Sequence, residues 1–113
     1  VDKLIVYIAS PYTRGDVEQN VRAQIDAAEI IRNAGHIPFA PLLSHYWNRE
    51  YPHTWQYWMD LCLDWIRRVD AVIRLPGPSI GADMEANLAR KLGLPVYDST
   101  KGFLRDCEAA NER

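Results

Sequence analysis

At 113 residues, with 48% hydrophobic and 25% charged side chains, residues 1–113 read as one domain with a single core. A formal net charge of −2 lacks the basic excess of a general nucleic-acid or membrane-surface binder, so neither partner is expected. No apolar run approaches the ~18 residues of a membrane span, "LIVYIA" is too short and lacks the cleavage pattern of a signal peptide, and Cys62 and Cys107 form no CxxC pair, all of which points to a reduced, cytoplasmic protein.

The first element is "KLIVYIA" (3–9), a continuous β-branched and apolar run of the kind that forms a strand buried on both faces. "SPYTRGD" follows as a loop broken by Pro11 and Gly15. Residues 16–34 predict a helix capped by Asp16 and stopped by Gly35, with Val17, Val21, Ile25, Ala28 and Ile31 as its apolar stripe. "HIPFA" (36–40) is a second short strand. The aromatic segment 41–53, "PLLSHYWNREYPH", is a loop or short helix over one end of the sheet. A second long helix covers 54–68, where Trp55, Trp58, Cys62, Trp65, Ile66 and Val69 share one face; its tryptophans read as core plus subunit interface. "DAVIRL" (70–75) is a third strand, "PGPS" a turn, and a third long helix opens at Ser79 and stops at Gly93. "LPVYD" (94–98) is a fourth strand, followed by a polar C-terminal helix.

Strands and helices in alternation imply an α/β fold: a single doubly wound, flavodoxin-like parallel sheet of four to five strands, with right-handed crossovers and helices on both faces. Such a sheet binds ligands at the carboxyl ends of its strands, where the strand order reverses. The loops expected at that edge are "SPYTRGD", "PLLSHYW" and "PGPSIGAD". They contain neither GxGxxG nor GxxxxGK[ST], so a dinucleotide fingerprint and a P-loop are both excluded. His36, His45 and His53 do not repeat at metal-ligand spacing, and no metal site is expected.

Two features of the third long helix stand out. Ser79 and Gly81 lie at its N-terminus, where unpaired N–H groups and the helix dipole favour an anion, and Ser10 would face the same crevice. Ser79 as a simple cap and Gly81 as a packing glycine are equally open readings. At ~100° per residue, Asp83, Asn87, Arg90 and Lys91 share one arc and Ala82, Leu88, Ala89 and Leu92 the other. Glu85 falls on the apolar arc. A glutamate there loses hydration and must find a partner or shift its pKa. It is either a structural carboxylate paired with an arginine or extended past its neighbours, or a nucleophile or base near the strand ends.

"VYIASPY" with its following "GD", "AGHIPFAP", "VDAVIRLPG" and "SIGADMEANLARKLGLPV" together resemble the nucleoside 2-deoxyribosyltransferase-like superfamily over roughly residues 4–97. That superfamily includes 2'-deoxynucleoside 5'-monophosphate N-glycosidases. The resemblance implies that Glu85 is a nucleophile toward the anomeric carbon of a nucleoside or nucleotide, forming a glycosyl-enzyme ester. It implies that Tyr7 orients Glu85, and that Ser10, Ser79 and Gly81 hold the 5' side of the sugar, with Pro11 and Tyr12 of the same loop also contacting substrate. Serine rather than aspartate at position 79 suits a 5'-phosphate. The catalytic members carry an aspartate at the position of Cys62, where it helps protonate the departing base. Asp60 is the nearest substitute acid, but it projects about 160° away on an ideal helix. The expectation is therefore an N-glycosidase or N-(deoxy)ribosyltransferase of a small nucleotide or nucleoside, needing no cofactor and forming a homodimer or higher homo-oligomer. The rival is a non-catalytic nucleotide- or nucleotide-sugar-binding module on the same fold.

Overall fold

The structure is a computed structural model that describes residues 3–111. Its elements run β1 (Ile5–Ala9), α1 (Val17–Asn33), β2 (Ile37–Phe39), a 3-10 turn (Pro41–Leu43), α2 (Ser44–Glu50), α3 (Trp55–Ile66), β3 (Ala71–Arg74), α4 (Ile80–Lys91), β4 (Val96–Tyr97) and α5 (Thr100–Asn111). Four strands form one sheet in the order β2-β1-β3-β4, all parallel, with Tyr7 opposite Phe39 on one side and Val72 on the other. The architecture is α/β and flavodoxin-like.

β1 and β3 are the central strands, and their apolar runs are buried because helices cover both faces. Alternation along β1 divides the core. Tyr7 and Ala9 pack with Val72 beneath α3 and α4, against Ile66, Ala82 and Ala89. Val6 packs with Ala71 and Ile73 on the opposite face, against Ile31 of α1 and Phe103 of α5. The chain leaves β1 toward β2 on one side, and β3 lies on the other. The strand order thus reverses beside β1, opening a crevice at the carboxyl ends of β1 and β3.

Local chemistry sets the helix boundaries. Asp16, Thr54 and Ser79 each accept a hydrogen bond from the backbone N–H three residues on, capping α1, α3 and α4. Gly35 and Gly93 follow the ends of α1 and α4 with positive φ.

Three expectations about burial are corrected. The buried stripe of α1 is Val21, Gln24, Ala27 and Ile31, while Ile25 is exposed. A glutamine takes the inward position because its amide is fully used there. Its Nε2 donates to the Ile8 carbonyl at 2.8 Å and the Ser10 hydroxyl at 2.9 Å, and its Oε1 accepts from the Leu42 N–H at 2.8 Å. On α3 the buried positions are Met59 and Ile66; Trp55 and Trp65 are exposed and are not core. Trp65 stacks on Phe39 at the β2 side of the sheet. Leu92, the C-cap of α4, is also exposed; Leu88 and Leu94 pack against the core at that end of the helix instead.

Candidate active site

The crevice holds a cavity of about 550 Å³, within the range of small-molecule sites. Its walls come from the β1 loop (Ser10, Tyr12, Thr13 and Arg14), from Gln24 of α1, and from the segment after β2 (Pro41, Leu42, Ser44 and Asn48). His53, Trp55, Trp58, Met59 and Cys62 line it from α3 and its approach, and Ser79, Ile80, Gly81, Ala82 and Glu85 from α4.

Glu85 is 6% exposed and lines this cavity. The inward phase follows from its place on the buried arc of α4 with Ala82, Ala86 and Ala89, three side chains too small to cover it. Tyr7 lies behind it. Because β1 alternates, the phenol projects toward α4, and its hydroxyl donates to Glu85 Oε2. Burial outweighs every other influence on the Glu85 carboxyl and leaves it raised from an ordinary 4.5 to about 7. That value already includes the opposing pull of hydrogen bonds from Tyr7 and Cys62 and of the charge of Arg74. Burial and the neighbouring carboxylate hold Tyr7 well above its ordinary value, so it remains a donor. Cys62 is pushed up to about 12 by burial first and by the charge of Glu85 second, and it stays a neutral thiol.

Arg74 fixes the geometry from the other side. Its guanidinium donates to the Gly77 carbonyl at 2.9 Å and to Asp83 Oδ1 at 2.9 Å, tying the end of β3 to the first turn of α4. The Ser79 hydroxyl accepts from the Ala82 N–H at 3.1 Å, and the Asp83 N–H bonds the Ser79 carbonyl at 3.0 Å. The N–H groups of Ile80 and Gly81 precede the first intrahelical donor and point out of the helix end. Gly81 also serves packing, since a Cβ there would lie 3.2 Å from Met59 Sδ.

The crevice brings together Glu85, Ser10, Tyr12, Ser79 and Gly81, with Tyr7 beneath them. Pro11 does not line the cavity. It is buried against Gly77, whose positive φ and missing Cβ allow the approach. Asp60 also lies outside the cavity; it is exposed and accepts from Gln56 Nε2 at 2.8 Å. The position expected to hold a carboxylic acid is filled by the Cys62 thiol.

Several lining residues were not expected at the site from the sequence. Gln24 is one, and Arg14 at the rim is another. The third group is the aromatic wall of His53, Trp55 and Trp58, braced where the Trp58 Nε1 and the His53 N–H both donate to Asn48 Oδ1, at 2.7 and 2.9 Å. An Asn-x-x-x-x-His pair beside tryptophans was the available signal. Among the described residues no group of three or more His, Cys, Asp or Glu is placed to hold a metal ion. Nor is any helix long and apolar enough to cross a membrane.

A family model, "Domain of unknown function (DUF4406)", matches residues 4–98. The chain belongs to this family. The matched span runs from β1 through β4 and includes every residue of the DUF4406 crevice named above. No curated protein matches the sequence. Among solved structures, the chain is similar to a 2-deoxyribosyltransferase from Bacillus psychrosaccharolyticus, at 20% identity and a TM-score of 0.60, covering 81% of this chain and 69% of that one. At that identity the likeness establishes a shared fold for this DUF4406 member.

Proposed function

We propose that the protein cleaves the N-glycosidic bond of a nucleoside or nucleoside 5'-monophosphate, with Glu85 as nucleophile. The observation that carries this reading is a nearly buried carboxylate at the strand-end crevice, held by a tyrosine hydroxyl and open to a nucleoside-sized cavity. The fold it shares with a 2-deoxyribosyltransferase supports the same class of chemistry.

In this mechanism a Glu85 oxygen attacks C1' of the sugar as the bond to the base breaks, and the bond's electron pair leaves with the base nitrogen. The product is a glycosyl ester, which water or a second base then resolves with retention. Tyr7 donates to the other carboxylate oxygen, fixing the attacking one toward the cavity. The 5' end lies toward Ser79, Gly81 and the open N–H groups of α4, with Ser10 and Arg14 nearby; a phosphate suits that end of the helix. The base rests against the aromatic wall. Since only the ionised carboxylate attacks, turnover rises with pH through about 7.

The test is incubation with a panel of ribo- and deoxyribonucleosides and their 5'-monophosphates, with free base measured by chromatography. Release by the parent protein that vanishes in Glu85→Gln supports the reading. Binding without release across the panel overturns it in favour of a non-catalytic binding module. That second reading is favoured by one specific observation, the thiol of Cys62 where a leaving-group acid was expected.

A further inference from the structure

Resting on the glycosidic reading above, we propose that a Tyr12–His45–Glu18 relay on the α1/α2 side of the crevice supplies the proton to the departing base. The Tyr12 hydroxyl lies 2.6 Å from His45 Nδ1, and His45 Nε2 lies 3.4 Å from Glu18 Oε1. Hydroxyl, imidazole and carboxylate thus stand in the order used to move a proton at a reacting centre. Tyr12 lines the same cavity as Glu85, but from a different wall. Its backbone carbonyl is held at 2.9 Å by Asn20 Nδ2 of α1, and its ring meets His45 of α2 edge-on. Glu85 rises from α4. A sugar attacked from α4 turns its leaving group away from that helix, and Tyr12 is one of the titratable side chains that line the cavity from other elements.

The acid must come from some such group. Cys62 occupies the position where an acid was expected, but it lies with Glu85 and Tyr7 at the buried end of the site. Asp60 faces solvent. Partial burial and the charge of Glu18 keep the Tyr12 phenol protonated.

The proton balance closes over one turnover. As the C1'–N bond breaks, its electron pair stays on the base and the Tyr12 O–H proton passes to a ring nitrogen or exocyclic oxygen of that base. Tyr12 takes a proton in turn from His45 Nδ1, 2.6 Å away. Water then attacks C1' of the glycosyl ester, Glu85 departs as carboxylate, and the proton released by water returns through Tyr12 to His45. Tyr12 is the catalytic residue of this relay, and His45 and Glu18 are positioning residues.

The experiment compares kcat/KM over a series of nucleosides with leaving bases of different basicity, including a purine nucleoside methylated at N7, whose cationic base departs without protonation. Tyr12→Phe should lose about 100-fold or more on ordinary nucleosides and little on the N7-methylated one. His45→Gln and Glu18→Gln should show smaller losses with the same dependence on leaving group, which a purely structural role would not produce. Glu85→Gln should abolish turnover across the whole series. Equal losses on every substrate in Tyr12→Phe, or no loss, would overturn the relay while leaving the glycosidic reading intact. Absence of base release by the parent protein from every member would overturn both.

Discussion

Replacing Glu85 with glutamine should make the protein more stable at alkaline pH, and the size of the effect follows from the site itself. The carboxyl titrates near 4.5 in an unfolded chain and near 7 when folded. Between those values the folded state holds a proton that the unfolded state has released, so stability falls as pH rises through this window. A shift of about 2.5 units at 1.36 kcal/mol each corresponds to about 3 kcal/mol of stability lost once pH exceeds 7. Most of that loss, about 2–3 kcal/mol, accrues between pH 5 and pH 8.5. Glutamine is nearly isosteric, can accept from Tyr7, and carries no charge to desolvate. Both proteins are unfolded by urea at each pH, and the quantity read is the Glu85→Gln difference at pH 8.5 minus that at pH 5. Every other titrating group is common to the pair and cancels. In thermal melts the corresponding change in the difference is roughly 10 °C. A difference independent of pH, or one that grows against glutamine as pH rises, would refute the reasoning, because the buried carboxylate would then be stabilised as an anion.

Tyr7→Phe removes a donor to the charged form of Glu85 and should raise the carboxyl further; the acid limb of the pH–rate profile for base release moves to higher pH. Gln24→Ala strands the Leu42 N–H and the Ile8 carbonyl and should cost about 3 kcal/mol in urea unfolding. Gly77→Ala places a Cβ 2.8 Å from Pro11 Cγ at a φ of +116° and should cost more than Gly15→Ala, where φ is +84° but nothing lies within 4 Å. Each carries a backbone penalty of roughly 1–2 kcal/mol, and the excess at Gly77, measured by denaturation, reports the loop contact. Cys62 should resist iodoacetamide at pH 8 in the folded protein and react readily in urea, followed by mass spectrometry.

The order of elements was legible because the central strands β1 and β3 are dense apolar runs, α1 and α4 are each bracketed by a cap and a glycine, and Thr54 caps α3. Glu85 was legible for a related reason. A helix repeats every 3.6 residues, so one charged residue on the apolar arc is visible without any tertiary information. The same arithmetic failed on α1, where Ile25 and Gln24 differ by a single step of 100°. Hydrophobicity favours burying the isoleucine. Three hydrogen bonds to groups from β1, the loop after it and the 3-10 turn reverse the choice, and those partners lie 14 to 18 residues away in sequence. It misled again on α3, where tryptophans line a cavity and cover a sheet edge instead of filling the core. Which aromatic faces the crevice depends on how residues 41–54 fold back, and Asn48 sets that through bonds to Trp58 and His53. Tyr12, His45 and Glu18 come together by the same route, a helix turn laid across a loop, with no spacing rule to announce it.

The Arg74 clamp has a bearing on how this chain tolerates changes in length. "PGPS" joins β3 to α4 in an exposed turn, the kind of place where insertions and deletions ordinarily accumulate. Here one guanidinium grips the strand end, the Gly77 carbonyl and Asp83 together, and Pro11 rests against Gly77 from the neighbouring loop. Adding or removing one residue would leave α4 either unclamped or turned by about 100°, carrying Glu85 out of reach of Tyr7. The shortest connection at the crevice is thus the least free to change in length.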